Sequence, residues 1–290
     1  MTVSLGIDIG GTKISYALIN EKGEILNEVK KTATPKTSKE IEQTLKNIIS
    51  EYEDEVNLIA LATAGAVNNE NNAVIGSTAN LPKGYKDIDF QSLSKKPVFI
   101  ENDANCAAWA EYRTGASKGL NNSVMLTLGT GVGGGIIING KLLKGKSGAA
   151  GEMHFPMSRN KERSCTCGFW DCFEAYASGN GLRRTGIDVT GRKDITTYDI
   201  IDGVKSGDKQ ALKAFNIWQN DIAIGIVGLA NIFDPDCIVL SGSMDQFVDT
   251  EKIEKFVNEN IVTSPTKIYH AGAGNYAGMI GAVLLANELI

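Results

Sequence analysis

The order of elements in this sequence predicts an α/β protein built on two related sheets. An apolar strand runs into a glycine turn at residues 5–13 (LGIDIGGTK), and a second apolar run over 13–19 closes at the polar residues 20–23. The same order returns after the polar stretch 117–122: apolar strand 124–128, glycine turn 129–135, strand 136–138 and turn 139–141. The match is one of pattern and not of identities, so two related sheets and a chance likeness of two hairpins are the readings to separate. Helical stretches alternate with the remaining strands, which is the third observation behind the class.

Each element follows from local pattern. Residues 24–32 return as a third strand. Ser38 can cap a helix over 39–52, where Ile41, Leu45, Ile48 and Ile49 share one face. Residues 58–62 and 98–100 read as short buried strands, and the latter leads through ENDAN (101–105) into helix over 107–112. Residues 208–233 read as one long helix with Gly225 and Gly228 as points of interruption. A strand over 236–243 feeds the turn Ser241-Gly242-Ser243, an amphipathic helix covers 246–258, a short strand holds Ile268, and 276–289 is a closely packed terminal helix. The polar break places domain boundaries at 1–118 and 119–275, with helix 276–290 packing back onto the first domain.

Composition limits the function classes. The formal net charge of −5 gives no electrostatic case for nucleic acid or an anionic membrane surface. The opening residues lack the basic region of a signal peptide, and the apolar run 222–233 is shorter than a membrane span needs. Five cysteines, three of them clustered at 165, 167 and 172, point to a cytoplasmic protein with a metal site and not to a disulfide scaffold.

Four places can carry chemistry. The turn at Gly10-Gly11, with Asp8 before it and Thr12 and Lys13 after it, reads either as an anion-binding turn or as an ordinary hairpin. It has neither P-loop nor dinucleotide-fingerprint spacing. The turn GTGVGGG at 129–135 spends five glycines in seven residues, which close backbone approach to a phosphate would explain. Asp103 sits at a strand-to-helix junction, where it can cap the helix or take a proton from an attacking hydroxyl. Cys165, Cys167 and Cys172 offer three soft ligands, with His154 the nearby fourth for a tetrahedral zinc; three thiols packed under a loop is the other reading.

Taken together, DIGGTK (8–13), ENDAN (101–105), GTGVGGG (129–135), GAAGE (148–152) and CTCGFWDCFE (165–174) resemble the ROK family of bacterial sugar kinases, and the likeness extends through SGS (241–243) to the AG pair near 277. The resemblance implies an actin-like (ribonuclease H-like) α/β fold of two domains with a cleft between them, and a homodimer. It implies ATP and Mg²⁺, with Asp8, Gly10, Gly11, Thr12 and Lys13 on one side of the phosphates, Thr130, Gly131, Val132 and Gly133 on the other, and Gly242 on the adenine side. Asp103 is then the general base for the 6-hydroxyl of the sugar, which Gly65, Thr78, Asn80, Asn102, Glu152, His154 and Glu174 contact. The family's zinc-binding histidine falls at Phe155 in this chain, so either His154 takes its place beside Cys165, Cys167 and Cys172 or the fourth ligand is water or missing.

Within the family, DIGGTKISYALI, CAAWAEY and AGAGNYAG are most similar to bacterial N-acetylmannosamine kinases. This implies transfer of phosphate from ATP to the 6-hydroxyl of N-acetyl-D-mannosamine in sialic acid catabolism. Glucokinase, or another hexose 6-kinase acting on mannose, fructose or N-acetylglucosamine, is the alternative. A non-catalytic sugar-binding regulator is a third expectation, though family repressors carry an N-terminal helix-turn-helix for which a first strand at Leu5 leaves no room.

Overall fold

The computed structural model describes residues 2–76, 81–157 and 160–290. The chain begins with β1 (Val3–Ile9), β2 (Lys13–Asn20), β3 (Lys30–Ala33), α1 (Ser38–Tyr52), β4 (Leu58–Thr63), β5 (Ala66–Val67), β6 (Val74–Gly76), β7 (Val98–Asn102) and α2 (Asp103–Thr114). It continues through β8 (Ser123–Leu128), β9 (Val132–Ile138), β10 (Lys141–Leu142), α3 (Glu174–Ala177), α4 (Gly179–Thr190), α5 (Thr197–Ser206) and α6 (Lys209–Phe233). It ends with β11 (Cys237–Ser241), α7 (Thr250–Asn260), β12 (Lys267–His270) and α8 (Ala277–Leu289).

The two main sheets have the strand orders β3-β2-β1-β4-β7 and β10-β9-β8-β11-β12, so the recurrence read in the sequence is a recurrence of topology. In each, the first strand of a hairpin lies at the centre, and the two later strands run parallel to it on one side. The α/β class with two sheet-containing domains therefore stands. The chain divides into two compact units, the first of residues up to Gly119 with Gly135–Gly151 and Gly272–Ile290, the second of Leu120–Gly134 with Glu152–Ala271. Residues 135–151 thus group with the first unit, whereas a simple boundary in the sequence had put all of 119–275 together.

In the first unit, alternation along β1 decides the core. Leu5, Ile7 and Ile9 are fully buried with the Ile41, Leu45, Ile48 and Ile49 face of α1. On the opposite face, Ala60 and Ala62 of β4 pack with Met279, Ala282 and Val283 of α8 and with Cys106 and Trp109 of α2.

Several local expectations are corrected. Thr37, not Ser38, caps α1: its Oγ1 accepts from Glu40 N at 3.3 Å and donates to the Glu40 carboxylate at 2.8 Å, so the residue three places before a Glu wins the position. The third strand is shorter than 24–32, because the Asn27 side chain takes the Leu18 N–H at 2.8 Å and displaces the ladder there. Helix α6 is continuous through Gly225, which lies where a Cβ would run into the Phe173 ring; its role is close packing. The helix expected over 246–258 starts at Thr250 behind its Asp249 cap, after a short 3₁₀ turn at Asp245–Phe247. Helices α4 and α5 had no counterpart in the sequence reading. Ser178 caps the first, and a Thr196–Asp199 capping box starts the second.

Candidate active site

The first unit presents the β1–β2 turn and the β7–α2 junction. Gly10 N donates to Lys13 O at 3.0 Å, and Thr34 holds the turn from the side, its Oγ1 on Gly10 O at 2.6 Å and its N on Thr12 O at 3.0 Å. Gly11, Thr12 and Lys13 are exposed beyond it. Asp8 is partly buried at the end of β1, and that burial raises its carboxyl from 3.8 to about 6, with the Lys13 charge pulling the other way. A carboxylate this short of compensating charge, beside an exposed glycine turn, fits a hydrated cation carried in on a phosphate.

At the junction, the capping role considered for Asp103 belongs to Asn102. The Asn102 Oδ1 accepts from Ala104 N at 2.9 Å and Asn105 N at 3.0 Å, and its Nδ2 donates to Gly65 O at 3.0 Å. Gly65 supports this with φ +94°, where a Cβ would also strike the Gly76 carbonyl. Asp103 is then the first residue of a 12-residue helix, partly exposed, where the N-terminal amides favour a negative charge. Thr78 and Asn80 lie outside the described residues.

In the second unit the glycine turn is held from several sides. Gly179 N, opening α4, donates to Gly129 O at 2.8 Å, and Asn180 Nδ2 donates to Thr130 O at 3.0 Å. Gly133 N donates to Thr127 Oγ1 at 3.0 Å, and Val132 N to Glu174 Oε2 at 3.1 Å. At Gly131 a Cβ would displace the Glu174 carboxylate that braces the turn. Gly242 has φ +92° and would drive a Cβ into the Leu128 carbonyl, so its turn folds over the end of β8, where the glycine turn begins. Thr130, Gly131, Val132, Gly133 and Gly242 are thereby brought together.

His154, Cys165, Cys167 and Cys172 also converge. Their ligand atoms all lie within 4.8 Å of one another, with His154 Nδ1 3.6 Å from Cys165 Sγ and Cys167 Sγ 3.4 Å from Cys172 Sγ. A tetrahedron with metal–sulfur bonds of about 2.3 Å has edges of roughly 3.8 Å, so the set fits a tetrahedral soft-metal site and the thiols are too far apart for a disulfide. Phe155 faces elsewhere, stacked on Phe173 at 5.0 Å between ring centroids. The His154 Nε2 is 3.6 Å from the exposed Glu152 carboxylate, placed as an outer partner would be if the imidazole held a metal.

Two site features escaped the sequence reading. Glu174, expected only against a sugar, braces the glycine turn through Oε2 and takes the Thr166 hydroxyl on Oε1 at 2.9 Å. Asp171 is buried with φ +55°, and its carboxylate accepts from the backbone N–H groups of Lys161 (2.6 Å) and Arg163 (2.8 Å) and from the Tyr176 hydroxyl (2.8 Å), which fixes the cysteine loop. A lone Asp between CGFW and Cys172 was the available signal.

Comparison with known proteins fits this arrangement. The ROK family model matches residues 4–289. A glucokinase of Streptomyces coelicolor is 31% identical over 99% of this chain and 98% of that protein. An N-acetylmannosamine kinase of Yersinia pestis is 34% identical over 84% of each. The crystal structure of a ROK family glucokinase from Streptomyces griseus in complex with glucose and AMPPNP superimposes with a TM-score of 0.81 at 30% identity, over 99% of both chains. With that match running almost from end to end, the chain belongs to the ROK family.

Proposed function

We propose that this ATP-dependent sugar kinase of the ROK family phosphorylates the 6-hydroxyl of a hexopyranose, with glucose the preferred acceptor. The observation that carries the reading is the similarity to a glucokinase across 99% of the chain. The N-acetyl-D-mannosamine expected from short segments becomes the second reading, supported by the 34% identity to such a kinase over 84% of the chain.

In this reading Asp103 accepts the proton of the 6-hydroxyl while that oxygen bonds to the γ-phosphorus and the bond from the γ-phosphorus to the β-phosphate oxygen breaks, releasing ADP. Asp8 and residues 10–13 of the first unit, and residues 130–133 with Gly242 of the second, are assigned to the nucleotide, with Lys13 supplying a positive charge. Mg²⁺ would neutralise the phosphate charge, with Asp8 the group to hold its water. Gly65 and Asn102 in the first unit and Glu152, His154 and Glu174 in the second are assigned to the acceptor sugar. Zinc on His154, Cys165, Cys167 and Cys172 is assigned a structural role in the second unit.

Family resemblance supports a homodimer, which light scattering checks. None of the five cysteines is in a disulfide, in keeping with a reducing cytoplasm, and among the described residues no helix is long and apolar enough to cross a membrane.

A coupled ATPase assay across glucose, mannose, fructose, N-acetylglucosamine and N-acetylmannosamine tests the substrate. The highest kcat/KM is expected with glucose; a higher value with N-acetylmannosamine reverses the two readings, and turnover with none of them removes the class. Asp103→Asn is expected to lower kcat by about three orders of magnitude or more while sugar Kd changes little, and near-normal turnover would sink the assignment of the base.

A further inference from the structure

Behind Asp103 lies an ion pair between fully buried Glu101 and mostly buried Lys144 that the reaction scheme does not use. Glu101, in β7, has no solvent exposure. Its Oε1 accepts from Asn102 N at 2.7 Å and Asn105 Nδ2 at 3.1 Å, and its Oε2 from Asn71 Nδ2 at 2.8 Å and Lys144 Nζ at 2.8 Å. The Lys144 ammonium places its other protons on Asn68 O at 2.8 Å and Asn71 Oδ1 at 3.0 Å. Asn71 completes the set by donating to Ile100 O at 2.9 Å, from a backbone with φ +56°. All of these residues belong to the first unit.

Such a pair is a poor way to gain stability, because desolvating two charges costs about as much as their attraction returns. Its geometry points to another use. Glu101 grips the backbone N–H of the residue before Asp103 and the side chain of the residue two after it, so Asp103 is fixed from both sides. Lys144 neutralises that grip and ties it to the 68–71 loop, while its own carbonyl accepts from Ala150 N at 3.1 Å, two residues before Glu152.

We infer that Lys144 and Glu101 are positioning residues for Asp103, and that their buried ion pair, completed by Asn71, sets the alignment of the base. This rests on the sugar-kinase reading of Asp103. Without Lys144 the buried carboxylate loses a charged partner and must turn or admit water, and either loosens its hold on the Asn102 N–H. Misalignment on the order of 1 Å is enough to cost up to about 10²-fold in rate.

The test compares Lys144→Met, Lys144→Arg, Glu101→Gln and Asp103→Asn with wild type in three readouts: kcat and sugar KM, thermal melting, and hydrogen exchange of residues 100–106 against residues 123–128 as an internal reference. In Lys144→Met the expected result is a kcat loss of about tenfold or more with sugar KM within about threefold, faster exchange at 100–106 alone, and recovery of most of the kcat in Lys144→Arg. Should Lys144→Met fail to fold, Glu101→Gln, which keeps shape and leaves Lys144 able to turn to solvent, is expected to show the same kcat loss and faster exchange. A lowered melting temperature with normal kcat and unchanged exchange makes the pair merely structural and overturns the inference. Full activity in Asp103→Asn sinks the assignment of the base instead, whereas loss there beside normal kcat in both Lys144→Met and Glu101→Gln sinks only this inference.

Discussion

Replacing Asp8 by Asn is expected to make the nucleotide-free protein more stable at pH 8, although it removes a charged group from the proposed nucleotide site. Burial raises the Asp8 carboxyl from 3.8 to about 6. The folded chain therefore binds the proton more tightly than the unfolded one. That contribution to stability is fully present below pH 3.8 and is lost as the pH rises through 6. A difference of about two pH units at 1.36 kcal/mol per unit makes the ionised form about 3 kcal/mol less favourable in the folded state at pH 8. With an unfolding entropy of about 2.1 cal/mol/K per residue over the whole chain, this corresponds to roughly 5 °C in melting temperature. Thermal melts of wild type and Asp8→Asn at pH 8, 6 and 4, without nucleotide or divalent cation, read the effect directly. The variant should lead by several degrees at pH 8 and lose that lead by pH 4. A variant less stable than wild type at pH 8, or a difference that ignores pH, refutes the reasoning, because desolvation of the charge would then not govern stability at this position.

Other perturbations test the remaining parts of the site. Protein purified without chelator should carry about one zinc per chain by elemental analysis, and His154→Ala or Cys167→Ser should lower that content and the melting temperature together; negligible zinc in active wild type would reject the metal. Gly242→Ala should cost about 1–3 kcal/mol in urea unfolding, since the residue combines φ +92° with a blocked Cβ direction, and should raise KM for ATP more than for sugar. Glu111 is buried, with Oε2 on Ala116 N (2.7 Å) and Gly272 N (3.0 Å) and Oε1 on Ala273 N (2.7 Å). Glu111→Ala should therefore cost roughly 3 kcal/mol, and a loss below about 1 kcal/mol would show that water replaces the carboxylate.

What was legible in the sequence was local. Apolar alternation, glycine turns and the order of strands gave both sheets, because each depends on residues a few places apart. Helices α4 and α5 went unread: glycines at 179, 181, 186 and 203 interrupt their helical pattern, and the buried faces rest on few apolar residues, Leu182 in α4 and Ile200 and Ile201 in α5. Within ENDAN the sequence showed four polar side chains without their division of labour. The structure gives the cap to Asn102, a buried ion pair to Glu101 and the helix start to Asp103. Nothing in the sequence links Glu101 to Lys144, since their pairing depends on how two distant loops fold onto one strand.

The histidine that stands one place early shows how geometry resolves what spacing leaves open. Residues 155–157 pair antiparallel with 171–173, through Phe173 N to Phe155 O at 2.9 Å and Met157 N to Asp171 O at 2.7 Å. Neighbouring side chains on extended backbone point to opposite sides, so His154 and Phe155 cannot both face the thiols. His154 takes that side, and Phe155 stacks on Phe173 behind it. The cysteine loop so anchored holds Thr166 against Glu174, whose other oxygen receives the Val132 N–H of the glycine turn. One carboxylate thus joins the cysteine loop to the glycine turn within the second unit. Stripping the zinc should therefore raise KM for ATP as well as lowering stability, although no ligand of the metal is assigned to the nucleotide.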